Sequence, residues 1–322
     1  MPLTLLQKIA QITRNQEAES LIHAFFPFMR DEFPALQAIA LYKVDNYQPE
    51  VVYGDDFKEL QTEINELIQQ ILNTKAIIGS QTKELDGVNL LVVKSSREKH
   101  CIYFMVYLLD TSCISEEQMD CILTITDIYT NHQELISLND RDPLTGLYNR
   151  KAFDQKILRL LNNGPHRRSY DTELFSCFAI IDIDHFKQIN DRFGHLYGDE
   201  VLLHFAQQAQ AFFRQDDLVF RYGGEEFVVI LQNVEEQGAN NVFERFRQHI
   251  ENYHFPQVGQ VTVSIGITRL DTSMLQSEII DRADHALYYS KEHGRNNIAC
   301  YETLVEEGKL TEIKVENDIE LF

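Results

Sequence analysis

The stretch Leu218-Val219-Phe220-Arg221-Tyr222-Gly223-Gly224-Glu225-Glu226-Phe227-Val228-Val229-Ile230-Leu231 decides how the second half of the chain folds. Two apolar runs rich in β-branched and aromatic residues flank a short polar turn, which is the pattern of a β-hairpin with buried strands. The paired glycines allow the backbone to approach a ligand closely, and neighbouring N–H groups in such a turn can face phosphate oxygens. Glu225 and Glu226 place two carboxylates at the tip of the hairpin. Taken alone, the same motif also suits an ordinary turn with solvated acids.

Upstream, Ala179-Ile180-Ile181-Asp182-Ile183-Asp184 is an apolar strand that ends in carboxylates. Acids at the end of a buried strand are costly unless they are paired or bound to metal. Asp182 with Asp184, and Glu225 with Glu226, would supply the oxygen ligands that Mg²⁺ or Mn²⁺ prefers, with phosphates completing the shell. The alternative is that the strand-end acids cap the next helix, and Asp184 is the better placed for that. From residue 140 onward the pattern reads helix 150–161, strand 177–183, helices 185–192 and 199–213, the hairpin, helix 240–252, strand 260–267 and helix 276–292. This predicts an α/β sandwich, with an acidic tail over 303–322 that has no assignable structure.

Before residue 139 the order is different. An amphipathic helix over 1–13 precedes helix 17–30, strands 38–44 and 50–53, helix 57–72 and strand 76–81. An Asp86-Gly87 turn then leads into strands 88–94 and 101–109, joined by a charged turn at 95–99. An antiparallel sheet flanked by helices follows from that order. A helix over 116–138, with Ile122, Ile125, Ile128, Leu135 and Leu138 near one stripe, runs into the second half without a Gly, Ser or Pro-rich linker.

Composition sets limits on the partners. The chain has 322 residues and 44% hydrophobic content, enough for two cores, and 29 basic against 50 acidic residues give a net charge of −21. Such a surface repels nucleic acid and anionic lipid, so a polyanion would bind only where a metal, local cations or backbone N–H groups reverse the potential. Cys101, Cys113, Cys121, Cys177 and Cys300 form no close pair and are expected to be buried free thiols. His23, His100 and His132 belong to no metal-binding grouping. No apolar run approaches the ~20 residues that cross a bilayer, and no cleavable leader is visible, which predicts a cytoplasmic protein with no membrane contact.

Four motifs in order resemble the GGDEF family of diguanylate cyclases over residues 140–301. They are Asp142-Pro143-Leu144-Thr145-Gly146-Leu147-Tyr148-Asn149-Arg150, the segment from Asp182 to Asp199, Arg221 to Phe227, and Ala286-Leu287-Tyr288 through Lys291 to Gly294-Arg295-Asn296. Glu225 stands where many members carry Asp. The resemblance implies a GGDEF fold, α/β (α+β), of the nucleotidyl-cyclase kind, over 139–302. It is preceded over 1–138 by an antiparallel-sheet domain that looks like a GAF-type sensor, with a PAS-like or purely dimerising domain as alternatives.

It also implies the chemistry. Two GTP molecules would condense to cyclic di-GMP and pyrophosphate across a homodimer, because each domain holds one GTP. Asp182 and Glu225, with the Ile183 carbonyl, would ligate Mg²⁺ or Mn²⁺, and Glu225 or Glu226 would accept the proton. Asn190 and Asp199 would read guanine, whose N–H donors suit a carboxylate. Leu202 would line the base pocket, or is a plain core leucine. Phe186, Lys187, His195, Gly223 and Gly224 would complete the nucleotide site, while Lys291 and Arg295 would hold the triphosphate. Arg214-Gln215-Asp216-Asp217 matches the family's RxxD inhibitory product site, with Arg245 as a second contact. The first domain would respond to an unidentified ligand or partner. The rival expectation is an inactive domain that serves as a receptor for GTP or cyclic di-GMP.

Overall fold

In the computed structural model, which describes residues 4–15, 17–45, 48–73, 80–98, 101–163, 175–214 and 216–311, the chain divides into two units, Met1–Asn139 and Asp140–Phe322. The first unit contains α1 (Leu5–Ile12), α2 (Ala18–Glu32), β1 (Leu36–Asp45), β2 (Gln48–Gly54), a 3-10 turn (Lys58–Leu60) and α3 (Gln61–Asn73). It continues with β3 (Ser80–Leu85), β4 (Val88–Glu98), β5 (Cys101–Asp110) and α4 (Glu116–Asn139). The strands form an antiparallel sheet in the order β2-β1-β5-β4-β3.

Period-two alternation divides this sheet's side chains between two cores. Ile39, Leu41, Leu91, Val93, Met105 and Tyr107 pack with Phe25 and Met29 of α2 and with Ile122, Ile125 and Tyr129 of α4. Ala40, Tyr42, Leu90, Val92, Phe104 and Val106 pack against Ile64, Leu67, Ile68 and Ile71 of α3. Both faces of the sheet are therefore covered, and for that reason the inner strands β4 and β5 carry long apolar runs.

The predicted charged turn at 95–99 is mostly strand. β4 continues to Glu98 across an irregularity between Lys94 and Arg97, and Arg97 pairs with Ile102. Of the predicted strand 76–81, residues 76–79 lie outside the described residues, and β3 starts at Ser80. Only part of the predicted stripe on α4 is buried. Ile122 and Ile125 face the sheet, whereas Ile128, Leu135 and Leu138 are 36%, 63% and 71% exposed. Cys177 is buried as expected, but Cys121 and Cys300 are half-buried and Cys113 is exposed. His23 hydrogen-bonds Tyr53 and His132 bonds the Asn15 carbonyl, while His100 lies outside the described residues.

The second unit comprises α5 (Arg150–Asn163), β6 (Phe175–Ile183), α6 (Phe186–Phe193), α7 (His195–Phe212), β7 (Leu218–Arg221), β8 (Glu226–Val234) and α8 (Glu236–Asn252). After these come β9 (His254–Phe255), β10 (Gly259–Gln260), β11 (Val263–Leu270), α9 (Gln276–Glu292), β12 (Ile298–Cys300) and α10 (Tyr301–Glu306). The five-stranded sheet has the order β12-β11-β6-β8-β7. All its neighbours are antiparallel except β11 and β12.

One face, with Ala179, Ile181, Phe227 and Val229, meets Val201 and Phe205 of α7 and Phe243 and Phe246 of α8. The other, with Phe178, Ile180, Val228 and Ile230, meets Phe153 of α5 and Ile279, Ala283 and Leu287 of α9.

Besides the helix predicted over 240–252, which starts four residues earlier as α8, three predicted elements differ. α7 begins at His195 rather than near 199, because Gly194 (φ 91°) turns the chain directly from α6 into α7. The predicted strand 260–267 is split, since Gln260 pairs with β9 and β11 starts only at Val263. The start of the predicted tail carries structure, with Leu304 buried in α10, and just before it Ile298–Cys300 adds an unpredicted edge strand beside β11. A segment so short gains its structure from docking rather than from periodicity. Residues 312–322 lie outside the described residues.

Candidate active site

Strand parity places the acids. Cys177, Ala179, Ile181 and Ile183 of β6 point into the core beneath α7 and α8, so Asp182 falls on the opposite face, toward α9. Asp182 is paired in register with Glu226 of β8, which shares the parity of Val228 and Ile230 and therefore also faces α9. Lys291, in the last turn of α9, reaches across to place Nζ 2.8 Å from Asp182 Oδ2. The approach of α9 depends on Gly266 in β11, where a Cβ would lie 2.2 Å from the Ala283 carbonyl and 2.3 Å from the Leu287 nitrogen.

Asp182 is 5% exposed. Burial raises its carboxyl above the ordinary 3.8. Lys291 opposes that shift through its hydrogen bond and charge, and Glu226 and Asp184 reinforce it. Burial also raises Glu225, with Asp182 and Glu226 adding to the shift and Lys291 working against it. The site is thus a set of carboxylates short of positive charge. Its donors are hard oxygens, as a divalent cation such as Mg²⁺ or Mn²⁺ requires. Among the described residues, no three His, Cys, Asp or Glu side chains gather to hold a metal, so a backbone carbonyl and a bound molecule would have to complete the ligand set.

The signature turn is braced from within. Tyr222 and Gly223 both donate their N–H to the Glu226 carbonyl, at 2.9 and 3.1 Å. The Glu226 side chain lies over Gly223, where a Cβ would stand 2.6 Å from Oε2. Gly224 faces open space. Arg221 donates to the Gly224 carbonyl through Nη2 at 2.9 Å and to Asp142 Oδ1 through Nη1 at 3.0 Å, tying the turn to the opening motif. Burial disfavours the Asp142 carboxylate, but hydrogen bonds from Thr145 and Arg221 prevail and hold it below the ordinary range. Ile183 donates its N–H to the Glu225 carbonyl at 3.4 Å, so Asp182, Ile183 and Glu225 are brought together.

Gly198 seats Asn190 against the start of α7, where Asp199 is the next residue. A Cβ on Gly198 would sit 2.0 Å from Asn190 Oδ1 and 3.3 Å from the Phe186 ring, so the Asn190 side chain lies directly on the first turn of α7, next to exposed Asp199. His195 and Lys187 are exposed, and Phe186 is buried beneath Asn190. Leu202 is 2% exposed and packed in the main core, which favours the plainer of its two readings. Arg295 is exposed in a loop past the end of α9, with a left-handed φ of 59°.

Asp184 turns away from Asp182 toward β11. It does not cap α6, whose first turn has no side-chain cap.

At the candidate product site, the Arg214 N–H donates to Asp217 Oδ2 at 2.8 Å, and the Asp217 N–H returns a bond to the Arg214 carbonyl at 3.1 Å. Burial raises the Asp217 carboxyl despite backbone bonds from Arg214 and Gln232. Arg245 lies on α8 with its guanidinium 5.7 Å from the Phe212 ring, lining a groove with Gln248, His249, Asn252 and Tyr253.

Several roles gave no local signal in the sequence. Asp284 of α9 has its carboxyl raised by partial burial and by the charge of Glu226, which adds a fourth acid to the neighbourhood. Asp142 and Arg221 meet across 79 residues. Gly198 reads simply as part of a helix start. Only the pairing of distant segments reveals these roles.

Residues 139–297 match the family described as diguanylate cyclase, GGDEF domain. Diguanylate cyclase DgcP of Pseudomonas aeruginosa is 40% identical over 160 residues, which is 49% of this chain and 23% of that protein. Diguanylate cyclase DgcM of Escherichia coli is 31% identical over 240 residues, 73% of this chain and 56% of that protein. The crystal structure of the coiled coil and GGDEF domain of DgcB from Caulobacter crescentus, in complex with c-di-GMP, is 27% identical with a TM-score of 0.50. That likeness covers 57% of this chain and 97% of the DgcB chain. The chain thus spans between about a quarter and just over half the length of these two curated relatives.

Proposed function

We infer that this chain, whose residues 139–297 form a GGDEF domain, is a diguanylate cyclase that condenses two GTP into cyclic di-GMP and two pyrophosphates. One observation carries the reading: buried Asp182 stands in register with Glu226 and beside Glu225, with Lys291 2.8 Å away, so three carboxylates share one lysine and leave an excess of negative charge that a metal ion would offset.

Asp182 and Glu225 carboxylates, with the Ile183 carbonyl, would hold Mg²⁺ or Mn²⁺. When bound, such an ion activates a hydroxyl and offsets phosphate charge. Asn190 and Asp199 would take the guanine edge, seated on Gly198 and Phe186. Lys187, Gly223, Gly224 and His195 would border the nucleotide. On GTP binding, Lys291 would release Asp182 and turn with Arg295 to the phosphates. A 3′-hydroxyl would then attack the α-phosphate of the facing nucleotide in line, with pyrophosphate leaving and Glu225 or Glu226 accepting the hydroxyl proton. The step occurs twice.

Two facing sites require two chains. Ile128 and Leu135, seven residues apart on α4, and Leu138, three further on, form an exposed apolar stripe of coiled-coil spacing that suits a homodimer contact. The first unit's sheet, covered on both faces, supports a GAF-like sensor whose ligand or partner would act through α4. Arg214 and Asp217, with Arg245 nearby, would bind the product and restrain activity. No helix among the described residues is long and apolar enough to cross a membrane, and a GTP-consuming reaction belongs in the cytoplasm.

Incubating the full chain with GTP and Mg²⁺ and chromatographing the products tests the reading. Cyclic di-GMP and pyrophosphate should form, and Glu225→Gln should lower the rate at least about 100-fold. Tight GTP or cyclic di-GMP binding without turnover, in a dimeric sample, would make the domain a receptor instead.

A further inference from the structure

We propose that Asp184 is a positioning residue that fixes the phosphate-binding loop through Asn296. The inference rests on the cyclase reading of Lys291 and Arg295. Asp184 is 4% exposed, and both its carboxylate oxygens are engaged. Ser264 Oγ donates to Oδ1 at 2.7 Å, while Thr262 Oγ1 at 2.7 Å and the Asn296 N–H at 3.0 Å donate to Oδ2. The Asp184 N–H also donates to the Thr262 carbonyl at 2.9 Å. Three charge-assisted bonds aim this carboxylate at the loop after α9 and away from the metal-type site.

The loop is held far more firmly than a surface turn needs. Arg295 (φ 59°) and Asn296 (φ 46°) are consecutive left-handed residues with side chains, a conformation that persists only where the surroundings dictate it. Asn296 Oδ1 accepts from Arg247 Nη1 at 2.7 Å, and its Nδ2 donates to Glu251 Oε1 at 2.7 Å. Arg247 is itself locked between Glu244 and Glu251 on α8. Asn297 donates through Nδ2 to the carbonyls of Ser290, His293 and Arg295. Asn296 thus ties the end of β6 to α8, and Asp184 carries the link on to Ser264 of β11, next to exposed Arg295 and five residues after Lys291. The two strand-end acids divide the work. Asp182 faces the cation Lys291, and Asp184 fixes the backbone that carries Arg295.

A network that sets the triphosphate clamp should matter for phosphates and not for the base. The test is calorimetric titration of the full chain, with Mg²⁺, against GMP and against a GTP analogue that cannot be cleaved between the α- and β-phosphates. Wild type should prefer the triphosphate. Asn296→Ala, which keeps the N–H bonded to Asp184 and removes the side-chain anchors to Arg247 and Glu251, should weaken the triphosphate about tenfold, equivalent to about 1.4 kcal/mol, and GMP less than about twofold. Thr262→Val, which keeps side-chain shape and removes one donor to Asp184, should show the same pattern at about threefold, and it carries the test if Asn296→Ala does not fold. Equal losses for both nucleotides, or a triphosphate preference unchanged in the variants, overturns the proposal. A wild-type chain that binds neither nucleotide overturns the cyclase reading as well.

Discussion

Gly198→Ala separates recognition from stability more sharply than any change to an acid. The new methyl would stand 2.0 Å from Asn190 Oδ1 against 3.4 Å for ordinary contact, so the amide must retreat by about 1.4 Å. Asn190 is half-exposed in the middle of α6, so its side chain can rotate outward toward solvent. The fold therefore escapes the clash, and alanine in place of glycine within α7 adds up to about 1 kcal/mol of helix stability. Guanine recognition does not escape it. Losing a well-aligned amide from a base edge costs about 1–3 kcal/mol, or about 5- to 150-fold in affinity. We expect urea denaturation to show equal or higher stability, the KM for GTP to rise within that range, and the preference for GTP over ATP to shrink by a similar factor. An unchanged KM in a folded variant would remove Asn190 from the base site. A stability loss above about 1 kcal/mol would show that the amide cannot move aside, and the reasoning would fail there.

Three further outcomes follow. Because Asp182 has a raised carboxyl, its ionisation opposes folding: its contribution is most favourable below the ordinary 3.8 and is lost as pH rises through the raised value. Asp182→Asn in metal-free buffer should therefore be more stable than wild type at pH 7, by on the order of 1 kcal/mol, with the advantage gone below about pH 4 and cyclase activity abolished, as denaturant melts at several pH values would show. Gly266→Ala drives a methyl into the backbone of α9, where neither side can yield cheaply, and should destabilise the domain by at least about 3 kcal/mol in urea titrations. Leu135→Glu with Leu138→Glu should shift the chain toward monomer in light scattering and lower turnover per chain at least about tenfold at low protein concentration, leaving the melting of both units nearly unchanged.

Much of the fold was legible because its strands carry their own signal. β6 and β8 are apolar runs bounded by turns, and α9 was located to the residue from its periodicity and the glycine beyond it. Short elements were not legible. β9, β10, β12 and α10 span two to six residues each, too few for periodicity to register, and they exist because a longer neighbour offers a partner. At the site, residue chemistry pointed to Asp182 and Glu225 and the family resemblance to Asn190, Asp199 and Lys291, but neither told which of them touch.

The sequence by itself determined the composition of the site: acids at the end of a buried strand, a Gly-Gly hairpin with two more, and cations closing the last long helix. Residue chemistry alone offered Asp184 as the better-placed helix cap, which it is not, and left open which acid stays in the metal-type site. Tertiary structure made that choice. Pleating turns Asp182 toward α9, where Gly266 admits the helix closely enough for Lys291 to reach it, while the hydroxyls of Thr262 and Ser264 claim Asp184. Which carboxylate stays short of charge depends on neighbours about 80 to 110 residues away, and no local pattern encodes contacts at that distance.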